Sequence, residues 1–125
     1  MPPAANPMAF LSDIHGALGP LEAVLEELAR RDVGEIYVAG DLLLGGDQPL
    51  EVWRKLQSVN ARCTRGTSDT ALCMVDPASL KPADDEQRVR MERFLNTRRE
   101  LGELVLQSIR RLPERLRIPM IDGRE

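Results

Sequence analysis

Three features of the 125-residue sequence predict an α/β fold built on a parallel sheet. Short apolar runs stop abruptly at Gly or Asp and alternate with stretches of helical periodicity, the pattern of parallel strands joined by right-handed crossovers. Aromatic residues make up only 3% of the chain, so the core must come from Leu, Val, Ile, Ala and Met. That suits helices packed on a buried sheet better than a stacking platform for bases or sugars. The length, with 42% hydrophobic residues, is one domain's worth of chain, enough to bury roughly two thirds of its unfolded surface.

The first strand is expected over 8–12, where Met8, Ala9, Phe10 and Leu11 run into Ser12 and then Asp13. A turn through Gly16 and Gly19 leads to a helix opened by Pro20, whose missing N–H is no loss at a helix start. Leu21, Val24, Leu25 and Leu28 recur at helical spacing, with acids early and Arg30 and Arg31 late, as the helix dipole favours. Gly34 closes that unit, and Glu35 to Ala39 form the second strand, stopping at Gly40-Asp41. A glycine-rich loop over 41–48 precedes Pro49 and a second helix with Leu50, Val52, Trp53 and Leu56 as its apolar positions. Residues 59–64 read as a third strand that ends at Arg65-Gly66.

From Thr67 the texture changes. Residues 67–82 read as loop and broken helix punctuated by Pro77 and Pro82. Asp84, Asp85 and Glu86 then mark the start of a long helical segment over 83–112. Its apolar positions are Val89, Phe94, Leu95, Leu101, Leu104, Val105, Ile109 and Leu112, and Gly102 introduces a break. Its arginines, from Arg88 to Arg111, read first as a solvated face laced with Glu92, Glu100 and Glu103, and second as an anion-binding surface. Residues 114–125 read as the start of a further strand, held to a sheet edge by Pro119 and running into a hairpin turn at Asp122-Gly123. No partner strand follows, so residues 1–125 read as a single domain that stops short, with a βαβαβ core over 8–72. A sheet edge left open in this way favours homo-oligomers.

Composition excludes several classes. The net charge of −3 is split unevenly: six basic and ten acidic side chains in residues 1–74, eleven and ten in 75–125. Neither part carries the basic excess that neutralising a nucleic-acid backbone requires. Cys63 and Cys73 are too far apart for a CxxC motif or a zinc knuckle and read as buried free thiols in a reducing compartment. No apolar run approaches the roughly 18 residues of a membrane span, and the N-terminus has neither the basic nor the apolar region of a secretory signal. A cytoplasmic protein away from membranes is expected.

The chemistry gathers where strands end. Asp13 and His15 follow the first strand, Asp41 the second, and Thr67, Ser68 and Asp69 the third. In an open α/β sheet these loops form the ligand crevice. Asp-x-His or Gly-Asp alone is as well explained by turn formation; their succession at three strand ends is rarer. Two carboxylates and an imidazole suit Mn²⁺, Fe or Zn²⁺, and a pair of such ions can clamp a phosphoryl group and activate water.

Ser12-Asp-Ile-His-Gly16, Val38-Ala-Gly-Asp-Leu42 and Arg65-Gly-Thr-Ser-Asp69 together resemble the motifs of the calcineurin-like metallophosphoesterases, with a flavour of their small bacterial phosphodiesterase branch. The resemblance covers residues 8 to about 72. It implies the N-terminal half of a four-layer αββα sandwich and metal-dependent hydrolysis of a phosphate ester, either a diester or a monoester. By the same resemblance Asp13 and His15 would hold one metal, with Mn²⁺ the leading candidate, and Asp41 would bridge to a second.

The family's third motif is Gly-Asn-His-Asp/Glu. Here Thr67 stands in the position of the Asn ligand, Ser68 in that of the proton-donating His, and Asp69 in that of the residue that orients its neighbours. Serine lacks the near-neutral ionisation of imidazole, and losing a general acid typically costs about 10²–10⁴-fold in rate. His15 is the only histidine in the chain, so a dinuclear centre is expected only when a C-terminal half supplies further ligands, and the 125 residues alone are expected to turn over little substrate. The alternative is a catalytically degenerate member of the family that serves as a protein-interaction scaffold.

Overall fold

The computed structural model describes residues 7–119. Strands β1 (Met8–Leu11), β2 (Glu35–Ala39) and β3 (Arg62–Thr64) lie side by side in chain order, all parallel, with Leu11 opposite Val38 and Val38 opposite Cys63. Right-handed crossovers that always step the same way across a sheet put their helices on one face. Helices α1 (Leu18–Arg30) and α2 (Pro49–Ser58) accordingly pack together. Strand alternation turns Ile36, Val38 and Cys63 toward them, and Val38 and Cys63 join Leu21, Leu25, Val52, Trp53 and Leu56 in the core. On the opposite face the Phe10 ring stacks on Tyr37 with centroids 5.4 Å apart, and the Arg62 guanidinium lies over the same Tyr37 ring. Tyr37 is thereby buried while Phe10 stays 64% exposed.

Two boundaries differ from the sequence expectation. Helix α1 begins at Leu18, so Pro20 is its third residue, still among the four whose N–H has no intrahelical partner. The earlier start leaves no acid in the first turn, and Val24 faces solvent. Strand β3 begins only at Arg62, because Val59 caps α2 and Asn60 turns the chain with φ 54°.

The glycine-rich loop after β2 is less open than its composition suggests. Leu42 and Leu43 are fully buried, pinning the loop to the core from beneath.

Residues 67–82 contain a regular helix, α3 (Thr67–Met74), followed by a 3-10 turn at Pro77–Ser79. Helix α4 (Asp85–Arg110) packs on α3 and α2, capped at its start by Asp84 accepting from the Gln87 amide. Gly102, at φ 78° and ψ 167°, interrupts it. That break resets the helical phase: Phe94, Thr97 and Leu101 face inward before it, Leu106 and Ile109 after it, while Leu104 is 80% exposed and Val89 also faces solvent.

The arginines of α4 are not all a solvated face. Arg88 pairs with Asp85 and Glu92, as expected on an exposed surface. Arg98 and Arg110 instead donate to the Leu72 and Cys73 carbonyls at the end of α3. These are carbonyls that a helix end leaves without intrahelical partners and that favour a cation.

Residues 114–119 pair with no strand among the described residues, although Arg65 N donates to Pro113 O at 2.8 Å just beyond β3. The rest of the strand expected over 114–125, with its turn at Asp122-Gly123, lies outside the described residues.

Truncating a loop residue that fills the core should cost as much as truncating a helix residue there. Leu43→Ala is expected to lose about 2–5 kcal/mol of unfolding free energy, against a change within about 0.5 kcal/mol for the exposed Leu104→Ala, both read from urea denaturation.

Candidate metal centre

The loops that follow β1, β2 and β3 are tied to one another by backbone as well as by side chains. His15 N donates to Asp41 O at 3.0 Å and Gly16 N to Leu42 O at 2.9 Å, which carries strand-like pairing past the ends of β1 and β2. Gly40 and Gly66 touch across the next gap: a Cβ on Gly40 would stand 2.7 Å from Gly66 Cα, and one on Gly66 would stand 2.6 Å from Asp41 N. Only glycine permits backbones to approach so closely.

Asp69, in the first turn of α3, is completely buried and holds this junction. Its Oδ2 accepts from Asp41 N at 2.8 Å and Gly66 N at 2.9 Å, and its Oδ1 accepts from Leu42 N at 3.0 Å. Three backbone donors that would otherwise be buried without partners are satisfied by one carboxylate.

Above that junction, Asp13, His15 and Asp41 come together, each offering a ligand atom within 4.8 Å of the others. All three have positive φ, at 56°, 49° and 54°, a conformation that non-glycine residues seldom adopt. Such strain persists only where surrounding contacts over-determine it, and it gathers at functional sites. Asp and His are among the residues that tolerate it best, so nothing in the local sequence announces it.

The imidazole is oriented from behind. His15 Nδ1 lies 3.0 Å from Leu44 O, and since a carbonyl can only accept, Nδ1 must carry the hydrogen. Nε2 then points at Asp13 Oδ1, 3.2 Å away. Two acceptors at that distance need a cation between them, either a proton on Nε2 or a metal ion. Burial lowers the His15 pKa, but the Leu44 carbonyl, the Asp13 hydrogen bond and the charges of Asp41 and Asp13 outweigh it, for a net rise above 6.5. The donor set of one imidazole and two carboxylates, with its backbone-held tautomer, fits a divalent transition metal.

Ser68 and Thr67 take different places. Ser68 N and Ser68 Oγ both donate to Asp41 Oδ1, at 3.0 and 2.8 Å, so Asp41 acts as a cap on the start of α3. The Ser68 amide, then its hydroxyl, hold the Asp41 carboxyl below the usual carboxylate range against the opposing effect of burial, with a lesser contribution from the charge of His15. Thr67 opens α3, is exposed, and among the described residues makes no hydrogen bond to the three clustered side chains. The sequence reading missed Leu44, which contributes a backbone carbonyl and so leaves no trace in residue type. Its side chain also walls an apolar groove of about 390 Å³ formed with Val75, Leu80, Met91 and Phe94.

Residues 7–113 match the model of the calcineurin-like phosphoesterase family, and the chain belongs to that family. The fold is similar to the crystal structure of a metallophosphoesterase from Sphaerobacter thermophilus, with a TM-score of 0.69 and 27% sequence identity. The similarity covers 89% of this chain and 43% of that one, so the present chain spans less than half the length of its structural relative. No curated protein sequence matches the chain.

Two outcomes follow from this geometry. Asp69→Asn puts an N–H where an acceptor stood and leaves a buried amide unpaired, so it should lower unfolding free energy by about 3 kcal/mol, measured by urea denaturation. Metal binding must displace the proton from His15 Nε2, so affinity for Mn²⁺ should climb as pH rises through the His15 pKa, above 6.5, and level off beyond it. Calorimetric titrations between pH 5.5 and 8.5 would read that slope, which Asp41, already ionised, does not share.

Proposed function

We propose that this chain carries the first metal-ligand set of a phosphoesterase that hydrolyses a phosphate ester, and that Asp13, His15 and Asp41 are the ligands. The observation that supports this most directly is the convergence of the three side chains from two strand ends, with Nε2 of His15 and Oδ1 of Asp13 3.2 Å apart. A divalent ion bound there, Mn²⁺ before Fe or Zn²⁺, supplies Lewis-acid polarisation of the phosphoryl oxygens and lowers the pKa of water. By the family resemblance Asp41 would be the ligand shared with a second ion. Asp69 keeps the Asp41 and Leu42 amides fixed, so the ligand-bearing loop does not have to reorganise during a reaction.

The chain offers three side-chain ligands in this cluster and one histidine in all. Completing a dinuclear centre therefore calls for ligands beyond these 125 residues, and the substrate class is a small phosphodiester or phosphomonoester read mainly by those further residues. Location in the cytoplasm fits this reading, and no helix of the described residues is long and apolar enough to cross a membrane.

One observation favours a second reading. Ser68 replaces the family's histidine, and its hydroxyl hydrogen is already given to Asp41, which is compatible with a metal-binding scaffold that has lost turnover. Hydrolysis of bis(4-nitrophenyl) phosphate and 4-nitrophenyl phosphate by the native gene product separates the two. The enzyme reading expects Mn²⁺-stimulated turnover that falls to background in Asp41→Ala; turnover that survives that substitution would overturn it, and metal binding with no turnover on any phosphate ester would leave the scaffold.

A further inference from the structure

A carboxylate oxygen has room for about two hydrogen-bond donors or ligands, and the two oxygens of a carboxylate about four between them. Both places on Asp41 Oδ1 are taken, by Ser68 N at 3.0 Å and Ser68 Oγ at 2.8 Å. No hydrogen bond reaches Asp41 Oδ2 among the described residues. The two oxygens of one side chain are thus chemically distinct, one saturated by the start of α3 and one with its electron pairs free.

We infer that Ser68 is a positioning residue for the metal centre: it saturates Asp41 Oδ1, so that Asp41 offers Oδ2 alone and cannot chelate a single ion through both oxygens. This rests on the reading of Asp13, His15 and Asp41 as metal ligands. The role differs from the one that its place in the third motif suggests. A hydroxyl whose hydrogen is held by a carboxylate at 2.8 Å has none to offer a leaving group. The same hydrogen, directed at Asp41, fixes the carboxylate about its Cβ–Cγ bond.

The amide alone would not suffice for this. One donor leaves Oδ1 a free place and lets the carboxylate pivot about a single contact, whereas two donors from one residue define its plane. Partners of this kind, one bond removed from the metal, commonly carry about 10–100-fold in metal affinity.

Mn²⁺ titration of the 125-residue chain by calorimetry, with thermal melts of the metal-free proteins alongside, tests the assignment. Ser68→Ala should bind Mn²⁺ about 10–100-fold more weakly than wild type, while its metal-free Tm falls by no more than about 5 °C, the cost of one hydrogen bond. Ser68→Thr, which keeps the hydroxyl, should restore the affinity. An unchanged Kd in Ser68→Ala overturns the role of Ser68 and leaves the metal site standing. Failure of the wild-type chain to bind Mn²⁺ at all overturns the metal site and this role with it. Should Ser68→Ala melt much earlier, Ser68→Cys decides, since a thiol of similar size donates only weakly: weaker binding supports the assignment and unchanged binding ends it.

Discussion

A single buried carboxylate stands between three parallel strands and the cluster of Asp13, His15 and Asp41. Asp69 accepts from the amides of Asp41, Leu42 and Gly66, and so sets the path of the chain where it leaves β2 and where it leaves β3. Gly40 and Gly66 can then touch, Asp41 can adopt its left-handed backbone, and its side chain arrives at the start of α3. The cost of sequestering a charge is met by charge-assisted hydrogen bonds of good length and by the positive end of α3. An apolar residue at position 69 would satisfy packing but leave three amides without acceptors.

The three clustered side chains are governed by a graded set of partners that differ in kind. His15 is steadied by the Leu44 carbonyl, Asp41 by Ser68, and Asp13, among the described residues, only by its neighbour Ser12 and by His15 itself. Rigidity therefore falls from Asp41, anchored to two elements, to Asp13, on the exposed rim. The solved relative from Sphaerobacter thermophilus extends well past the region shared with this chain. Residues 7–113, which match the family model, include the three clustered side chains, the buried Asp69 and the core beneath them.

Much of this architecture is legible in the sequence, because periodicity and punctuation are local. The apolar spacing of Leu21, Leu25, Val52 and Leu56 marks the buried faces of α1 and α2, and Gly-Asp at the end of β2 marks where the chain must turn. What escapes is whatever depends on a neighbour far along the chain. Leu42 and Leu43 read as loop by their glycine-rich surroundings, yet the core beneath takes them in. Arg98 and Arg110 carry the same charge as Arg88, and only the nearby end of α3 separates capping from solvation. The inward face of α4 after Gly102 cannot be extrapolated from the face before it, since one residue at positive φ rotates all that follows. In the site, residue types and strand-end positions pick out Asp13, His15 and Asp41 as a group, but the positive φ at each and the Leu44 carbonyl behind the imidazole are tertiary facts.

Among the described residues strand β1 lies at the edge of the sheet, joined to β2 through four paired positions, and Asp13 and His15 follow just beyond it. Peeling that strand away would take two of the three clustered groups with it and leave Asp41 behind at the end of β2, bonded to Ser68. Occupancy of the cluster by an ion would therefore be linked to docking of the edge: an ion at a hundred times its dissociation constant would hold the strand in place by about 2.7 kcal/mol. A small, four-residue edge is otherwise the part of such a sheet most prone to open. A cation held there would work as a clasp, and hydrogen exchange along Met8 to Leu11 would gauge directly whether the clasp is closed.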